Sequence, residues 1–322
     1  MDGFDVICIG NSAVDVPLHP VGPEIFSHDS YPIDRIIPQV GGSGTNVSTT
    51  LSRLGKRVKL VTLLGNDMLG DYLVRHCATN GIDTSAILRS SAVDTPLSIG
   101  LVREDGERSF VVSRSSSTFA FCADHVDPAV FAGARMLMFS SIFIMPEFDD
   151  AGLTRIFRAA REAGLIVCAD MMRSRTGQRM DAIASALPYV DYFFANFEEA
   201  AFLTSQPTLN AMGKALLDAG VGHVLIKIGK EGCYICDNET ACTLPAFRNE
   251  HPVDTIGAGD NFAAGFLSSV LDGASFPQAA RFANATAAIS VGAPGATNGV
   301  QSKPQVEAFL QKEDSLHTSA PG

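Results

Sequence analysis

One pattern constrains this chain more than any other: short apolar runs alternate with segments of helical spacing. The runs are Val6–Ile9, Val58–Leu63, Met136–Phe139, Leu165–Ala169, Tyr192–Phe194 and Val224–Ile228. Between them lie Asn46–Leu54, Leu69–Thr79, Ala151–Ala163 and Leu209–Ala219, and the region after Asn249 turns helical over Ala258–Leu271, Pro277–Val291 and Lys303–Gln311. Short runs without polar alternation suit strands covered on both faces. Such strands alternating with helices predict an α/β fold with a doubly wound, mostly parallel sheet flanked by helices.

Two stretches break the alternation. Val14–Val40 carries prolines at 17, 20, 23, 32 and 38, and Leu97–Val102 with Arg108–Val112 reads as a hairpin around Glu104-Asp105-Gly106-Glu107. Together they predict a small β lid beside the sheet. The expected division is a main domain over residues 1–12, 41–95 and 114–313, with lid excursions over 13–40 and 96–113. A polar tail, Asp314–Gly322, is expected to fray.

With 322 residues, 46% apolar and only 18% charged, the chain can bury a large core, and disorder is excluded for most of it. A net charge of −11 argues against a nucleic-acid or anionic-membrane partner, so any phosphate must meet local backbone donors and a few placed cations. No apolar run is long enough for a bilayer span, and Met1–Gly10 lacks the basic start of a secretory signal, so a cytoplasmic location is expected. The 7 cysteines are scattered, as reduced thiols would be. Cys233-Tyr-Ile-Cys236 spells CxxC but lies in a strand-like run, where residues three apart face opposite sides and read as core. The histidines are dispersed too, which leaves zinc without a ligand set.

Two glycine clusters stand out. Gly41-Gly42-Ser43-Gly44-Thr45-Asn46 leads into a helix, either as a flexible loop or as backbone that lets a ligand approach. Asp254-Thr255-Ile256-Gly257-Ala258-Gly259-Asp260-Asn261-Phe262 opens another helix, where turn amides could form an anion hole at the positive end of the helix dipole. Asp260 there is either a favourable partner of that dipole or a general base for a hydroxyl attacking phosphorus. The rival phosphate motifs are absent. Gly55-Lys56 and Gly229-Lys230 lack the Walker spacing, and neither Gly10 nor Gly257-x-Gly259 continues as GxGxxG.

The two clusters resemble the paired signatures of the ribokinase/PfkB carbohydrate kinases. Further pieces follow in the family's order: Gly65-Asn66-Asp67-Met68-Leu69-Gly70, Asn196-Phe197-Glu198-Glu199, Lys227-Ile228-Gly229-Lys230-Glu231-Gly232 and Ala283-Asn284-Ala285. The resemblance covers residues 4 to 311, and the DTxGAGDxF string is its most specific part. Shorter strings, DSYPIDRI, DGERSF, CADM, YVDY and ARFANATAAIS, are similar to those of one sugar kinase of the family whose acceptor is unassigned.

The resemblance implies a ribokinase-like fold and roles for individual residues. Asp260 would take the proton from the acceptor hydroxyl, and Gly257, Ala258 and Gly259 would hold the transferred phosphoryl. Asn196 and Glu199 would order Mg²⁺ on ATP, largely through water; a helix N-cap with a first-turn acid is the alternative. Lys227 would reach phosphates, or else is a snorkelling strand-end lysine. Gly229 and Gly232 would admit the nucleotide, and Asn284 would lie beside adenine, or else is a satisfied core amide. Asp15, Gly42 and Asn46 match positions that bind sugar hydroxyls. A closing lid would exclude water, and its open edges suggest a homodimer.

Departures narrow the acceptor. The family's ribose kinases carry Asn where this chain has Ala13, Lys where it has Ser43, and Glu near Ser141-Ile142-Phe143, which argues against ribose. Arg173 and Arg175 follow the Leu165–Ala169 run and could clamp a carboxylate, making a sugar acid the acceptor, or else are solvated. Many members bind a monovalent cation such as K⁺ near the equivalent of Asp254, but Gly299 stands here where a hydroxyl ligand is common. The expectation is an ATP-dependent sugar kinase. A nucleoside kinase and a non-catalytic sensor on the same fold are the alternatives.

Overall fold

The computed structural model describes residues 3–105, 107–249 and 251–318. The main sheet contains β1 (Val6–Ile9), β4 (Val58–Gly65), β5 (Ile87–Ser90), β8 (Met136–Ile142), β9 (Ile166–Met171), β10 (Tyr192–Asn196), β11 (His223–Lys227), β12 (Cys233–Cys236) and β13 (Ala241–Leu244). Its nine strands run in the order β13-β12-β11-β10-β9-β8-β1-β4-β5. Only β12 and β13 are antiparallel to their neighbours. The chain thus starts near the middle and winds outward to both edges, so the switch point lies between β1 and β8, where ligands of such sheets bind.

Alternate residues of the central strands feed two separate cores. Ile7, Ile9, Phe139 and Phe193 pack on one face against α3 (Asp150–Glu162), α4 (Phe197–Thr204) and α5 (Leu209–Asp218). Val6, Cys8, Met138 and Phe194 pack on the other against α1 (Ser43–Arg53), α6 (Ala258–Leu271) and α7 (Phe276–Ser290). Burial on both faces is why these strands lack polar alternation. Cys233 and Cys236 fall in opposite cores, as their spacing on a strand requires. Helix α2 (Met68–Thr79) covers the β4 end of the sheet, and α8 (Lys303–Thr318) packs on α7.

The lid is a second sheet of four strands, in the order β3-β2-β6-β7, formed by β2 (Ala13–Leu18), β3 (Gln39–Gly41), β6 (Leu97–Val102) and β7 (Arg108–Val112). Both irregular stretches of the sequence therefore supply it, and the hairpin has the expected bounds. Most element ends shift by one to three residues from the sequence reading, and two differences at helix ends stand out. Helix α1 begins at Ser43 rather than Asn46, because its first turn is glycine and polar residues with no apolar period. Residues 314–318 continue α8 instead of fraying, and 319–322 lie outside the described residues.

Candidate active site

The first turn of α6 is the centre of the site. Its N-cap, Gly257, has φ +74°, a conformation in which a side chain is strained, and a Cβ there would fall 2.7 Å from Ala296 Cα. With no side chain at the cap, nothing of the cap itself covers the first-turn amides. Asn261 fixes this turn: its amide donates to the carbonyls of Gly257 and Ala296, both at 2.8 Å, and its Oδ1 accepts from Thr50 of α1 at 2.8 Å. Asp254 ties the same turn from the other side, accepting from the Ile256 and Gly295 amides, both at 2.9 Å.

Two cavities meet at that turn. The larger, about 860 Å³, is lined by Asn196, Lys227, Gly229, Gly232 and Asn284, with apolar side chains of α7 along one wall. The smaller, about 290 Å³, lies under the lid and is lined by Asn11, Asp15, Gly42, Ser43, Asn46, Ser98 and Arg175. Ala258 and Gly259 border the larger cavity, while Gly257 and Asp260 border the smaller. The turn is a partition with a backbone-lined side and a carboxylate side.

Asp260 is half-buried at the cavity wall, and desolvation raises its pKa above the usual carboxylate range. Hydrogen bonding from Asn46, the charge of Lys227 and hydrogen bonding from Ser43 act in the opposite direction. The Asn46 bond is 2.7 Å long. Lys227 ends β11 level with Asn196 at the end of β10, and a Cβ on Gly259 would lie 2.9 Å from its Nζ. Its ammonium therefore overlies the first turn of α6. Asp15, on the lid strand β2, is also raised by burial, against hydrogen bonding from Ser98. Gly42 turns so close to the first loop that a Cβ would fall 2.6 Å from the Asn11 carbonyl oxygen.

Several residues hold structural bonds that bear on their expected roles. Asn196 and Glu199 form a reciprocal cap of α4, at 2.8 Å and 2.7 Å, with Asn196 also lining the larger cavity. Burial raises the Glu199 pKa, opposed by Lys227. Asn284 donates to the Pro245 carbonyl at 3.1 Å, so it is a satisfied amide and a cavity wall at once. Gly232 serves the β12–β13 hairpin as well: a Cβ would fall 2.5 Å from the Ala246 amide nitrogen. The two arginines separate. Arg175 lines the lid-side cavity, whereas Arg173 lies over the Phe202 ring, 4.6 Å from its centroid, and does not line it.

Sequence reasoning missed Asp170. It stands near the carboxyl end of β9, buried, and its pKa is pushed up to about 7, first by burial and then by the neighbouring charge of Asp260. The signal was an acidic residue closing an otherwise apolar strand, Ile166–Met171. Asn261 and Asn11 were also missed, because an amide inside a glycine-rich turn or loop looks ordinary.

A protein-family model of pfkB family carbohydrate kinases matches residues 5–303. The chain belongs to that family. It is a carbohydrate kinase, a phosphotransferase with an alcohol group as acceptor, and it is 28% identical over 296 residues to 2-dehydro-3-deoxygluconokinase of Bacillus subtilis, covering 86% of this chain and 88% of that protein. Its ribokinase-like fold matches a fructokinase with bound ATP from Xylella fastidiosa, with TM-score 0.82, 24% identity, and 96% and 98% of the two chains covered. It also matches an Arabidopsis thaliana ribokinase complexed with ribose and ATP, with TM-score 0.83, 21% identity, and 96% and 99% covered. Among the described residues, no helix is long and apolar enough to cross a membrane.

Proposed function

We propose that this carbohydrate kinase transfers the γ-phosphoryl of ATP to a hydroxyl of a monosaccharide or sugar derivative, with Asp260 as the base. The observation that carries the reading is the partition at the first turn of α6. A cavity of nucleotide size opens on its backbone side, and a smaller polar cavity holds Asp260 on the other.

The residues present fit ATP. The apolar wall of α7 suits adenine, and Lys227 with the uncapped first turn of α6 suits phosphate. Among the described residues no three His, Cys, Asp or Glu side chains converge on a metal site. Mg²⁺ would therefore be held chiefly by phosphate oxygens and water, with Asn196 and Glu199 nearest in kind, and would supply charge neutralisation on the phosphates. Asp254 accepts one backbone amide on each carboxylate oxygen, which leaves a lone pair on each that a cation such as K⁺ would take.

The chain's own residues then act in sequence. Asp15, Gly42 and Asn46 orient the acceptor under the lid, which excludes water from the junction of the cavities. Asp260 accepts the hydroxyl proton as the oxygen attacks phosphorus, a contribution of about 10²–10⁴ in rate. The amides of Gly257 and Gly259, joined by that of Ala258 once it leaves the Thr255 carbonyl it meets at 3.3 Å, face the charge developing on the phosphoryl oxygens. Asp260→Asn should keep ATP binding and lose nearly all turnover in a coupled assay across sugars, sugar acids and nucleosides. Undiminished turnover would remove the mechanism.

A sugar acid is the second reading of the acceptor. It is supported by Arg175 in the lid-side cavity and by the gluconate derivative in the name of the Bacillus relative. The short strings DSYPIDRI and ARFANATAAIS support a narrower placement, beside the one sugar kinase of unassigned acceptor that they resemble. We also infer a homodimer through the lid, on which Phe26, Ile36, Ile37, Phe110 and Val111 are exposed. We place the protein in the cytoplasm on its charge, its cysteine usage and its ATP substrate.

A further inference from the structure

A β-bulge stands beside the base. Strand β8 pairs with β9 as Phe139↔Ala169 and then Ile142↔Met171, so Ser140 and Ser141 oppose Asp170 alone. Bulges of this kind re-aim a side chain and are common next to active sites. Ser141 sits in the bulge with φ +65°, a strained conformation for a residue with a side chain, and is buried. Its amide donates to Oδ1 of Asp170. Its hydroxyl donates to the Ser43 hydroxyl at 2.8 Å. Ser43 accepts that bond, which leaves its own proton for another partner, and it favours the charged form of Asp260.

We infer that Asp170, Ser141 and Ser43 form a positioning bridge that sets the Ser43 hydroxyl against the Asp260 carboxylate. The inference rests on the reading of Asp260 as base. Ser141 and Asp170 do not line the acceptor cavity, so they act through Ser43, which does. The strain at Ser141 supports this assignment. Glycine would take up the bulge more easily, and serine there supplies a hydroxyl in return.

The groups facing Asp260 come from every element around it. They are Ser43 and Asn46 on α1, Lys227 on β11, Asp170 on β9, Asp15 on β2 and Glu199 on α4. Of these, Asn46, Lys227 and Ser43 favour its ionised form. Losing the Ser43 contribution should raise the Asp260 pKa, so a larger fraction of the base is protonated at a given pH. The acid limb of the rate profile should then move to higher pH.

The test compares Ser141→Gly, Ser141→Ala, Ser43→Ala and Ser43→Thr in steady-state assays, with Asp260→Asn in parallel. The Ser141 variants should lose about tenfold in kcat with unchanged KM for ATP, the loss of one hydrogen bond. Their acid limb should move upward, and Ser141→Gly should melt no lower than the parent. Ser43→Ala should shift the limb, while Ser43→Thr, which keeps a hydroxyl, should hold it. Parental kcat and pH profile in Ser141→Gly overturn the bridge, and so does a kcat loss with no movement of the acid limb. Active Asp260→Asn overturns the base itself. An inactive Asp260→Asn beside an unaffected Ser141→Gly overturns only the bridge.

Discussion

The side-chain amide of Asn46 donates a 2.7 Å hydrogen bond to Oδ2 of Asp260, joining residues 214 positions apart. One belongs to the first glycine cluster and the other to the second, so the two motifs converge on one carboxylate. The remaining oxygen of the same amide, Oδ1 of Asn46, is buried without a partner. A buried acceptor left open costs about 1–3 kcal/mol, which a substrate hydroxyl would relieve. On the proposed reading, Asn46 would connect acceptor binding to the state of the base.

Asn46→Ala should affect both. A hydrogen bond to a charged group is worth about 1.5–3 kcal/mol, and its loss should raise the Asp260 pKa further. Because the proposed base would work ionised, the acid limb of kcat should move to higher pH. KM for the acceptor should rise as well. A pH–rate series at saturating ATP checks both, and an unmoved limb would separate Asn46 from the base.

Two glycines, one in the partition and one in the larger cavity, allow strain to be told from clash. Gly257 has φ +74° and crowds Ala296, whereas Gly229 has φ +61° and a Cβ added there would meet nothing within 4 Å. Alanine at Gly229 should cost only the left-handed backbone penalty, about 1–2 kcal/mol. At Gly257 it must also displace the 293–297 loop, so Gly257→Ala should melt lower and lose phosphoryl transfer. Thermal unfolding and turnover of the pair decide it.

The fold was largely legible because the central strands are buried on both faces, and continuous apolar runs such as Val6–Ile9 admit few other readings. Strands β5 and β13 were not, since edge strands with half-exposed side chains carry no such run. At the site, DTIGAGDNF marked the turn and its aspartate directly. Arg173 and Arg175 looked equivalent in sequence, and only tertiary packing sends one to Phe202 and the other to the cavity. Asp170 gave little sign because its character comes from its neighbours. Burial, Asp260 and Lys227 are brought together by different strands and helices.

Asp170 should also leave a mark on stability. Its folded pKa of about 7 lies above the ordinary aspartate value of 3.8, so between those values the folded state binds more protons than the unfolded chain. Stability therefore falls as pH rises through that window, the opposite of a salt-bridged carboxylate. Asp170→Asn keeps an acceptor for the Ser141 amide and removes the titration. Its melting temperature relative to the parent should improve steadily from pH 4 to about pH 8. A constant difference across that range would show that Asp170 titrates normally.

The nature of the acceptor turns on the two arginines. Arg175 lines the lid-side cavity, where Asp15 and Asp260 are the other charged groups, so among the described lining residues its guanidinium is the cationic partner a substrate carboxylate would find. Arg173 is held over Phe202, whose ring is also approached by Arg179 at 4.4 Å. Arg175→Gln should raise KM for sugar acids by about 10-fold or more, the worth of a charge-assisted hydrogen bond, and leave neutral sugars nearly unchanged. Arg173→Gln should alter neither by more than a small factor. If neutral sugars are the substrates, Arg175→Gln leaves the best acceptor untouched, and the sugar-acid reading falls while the kinase assignment stands.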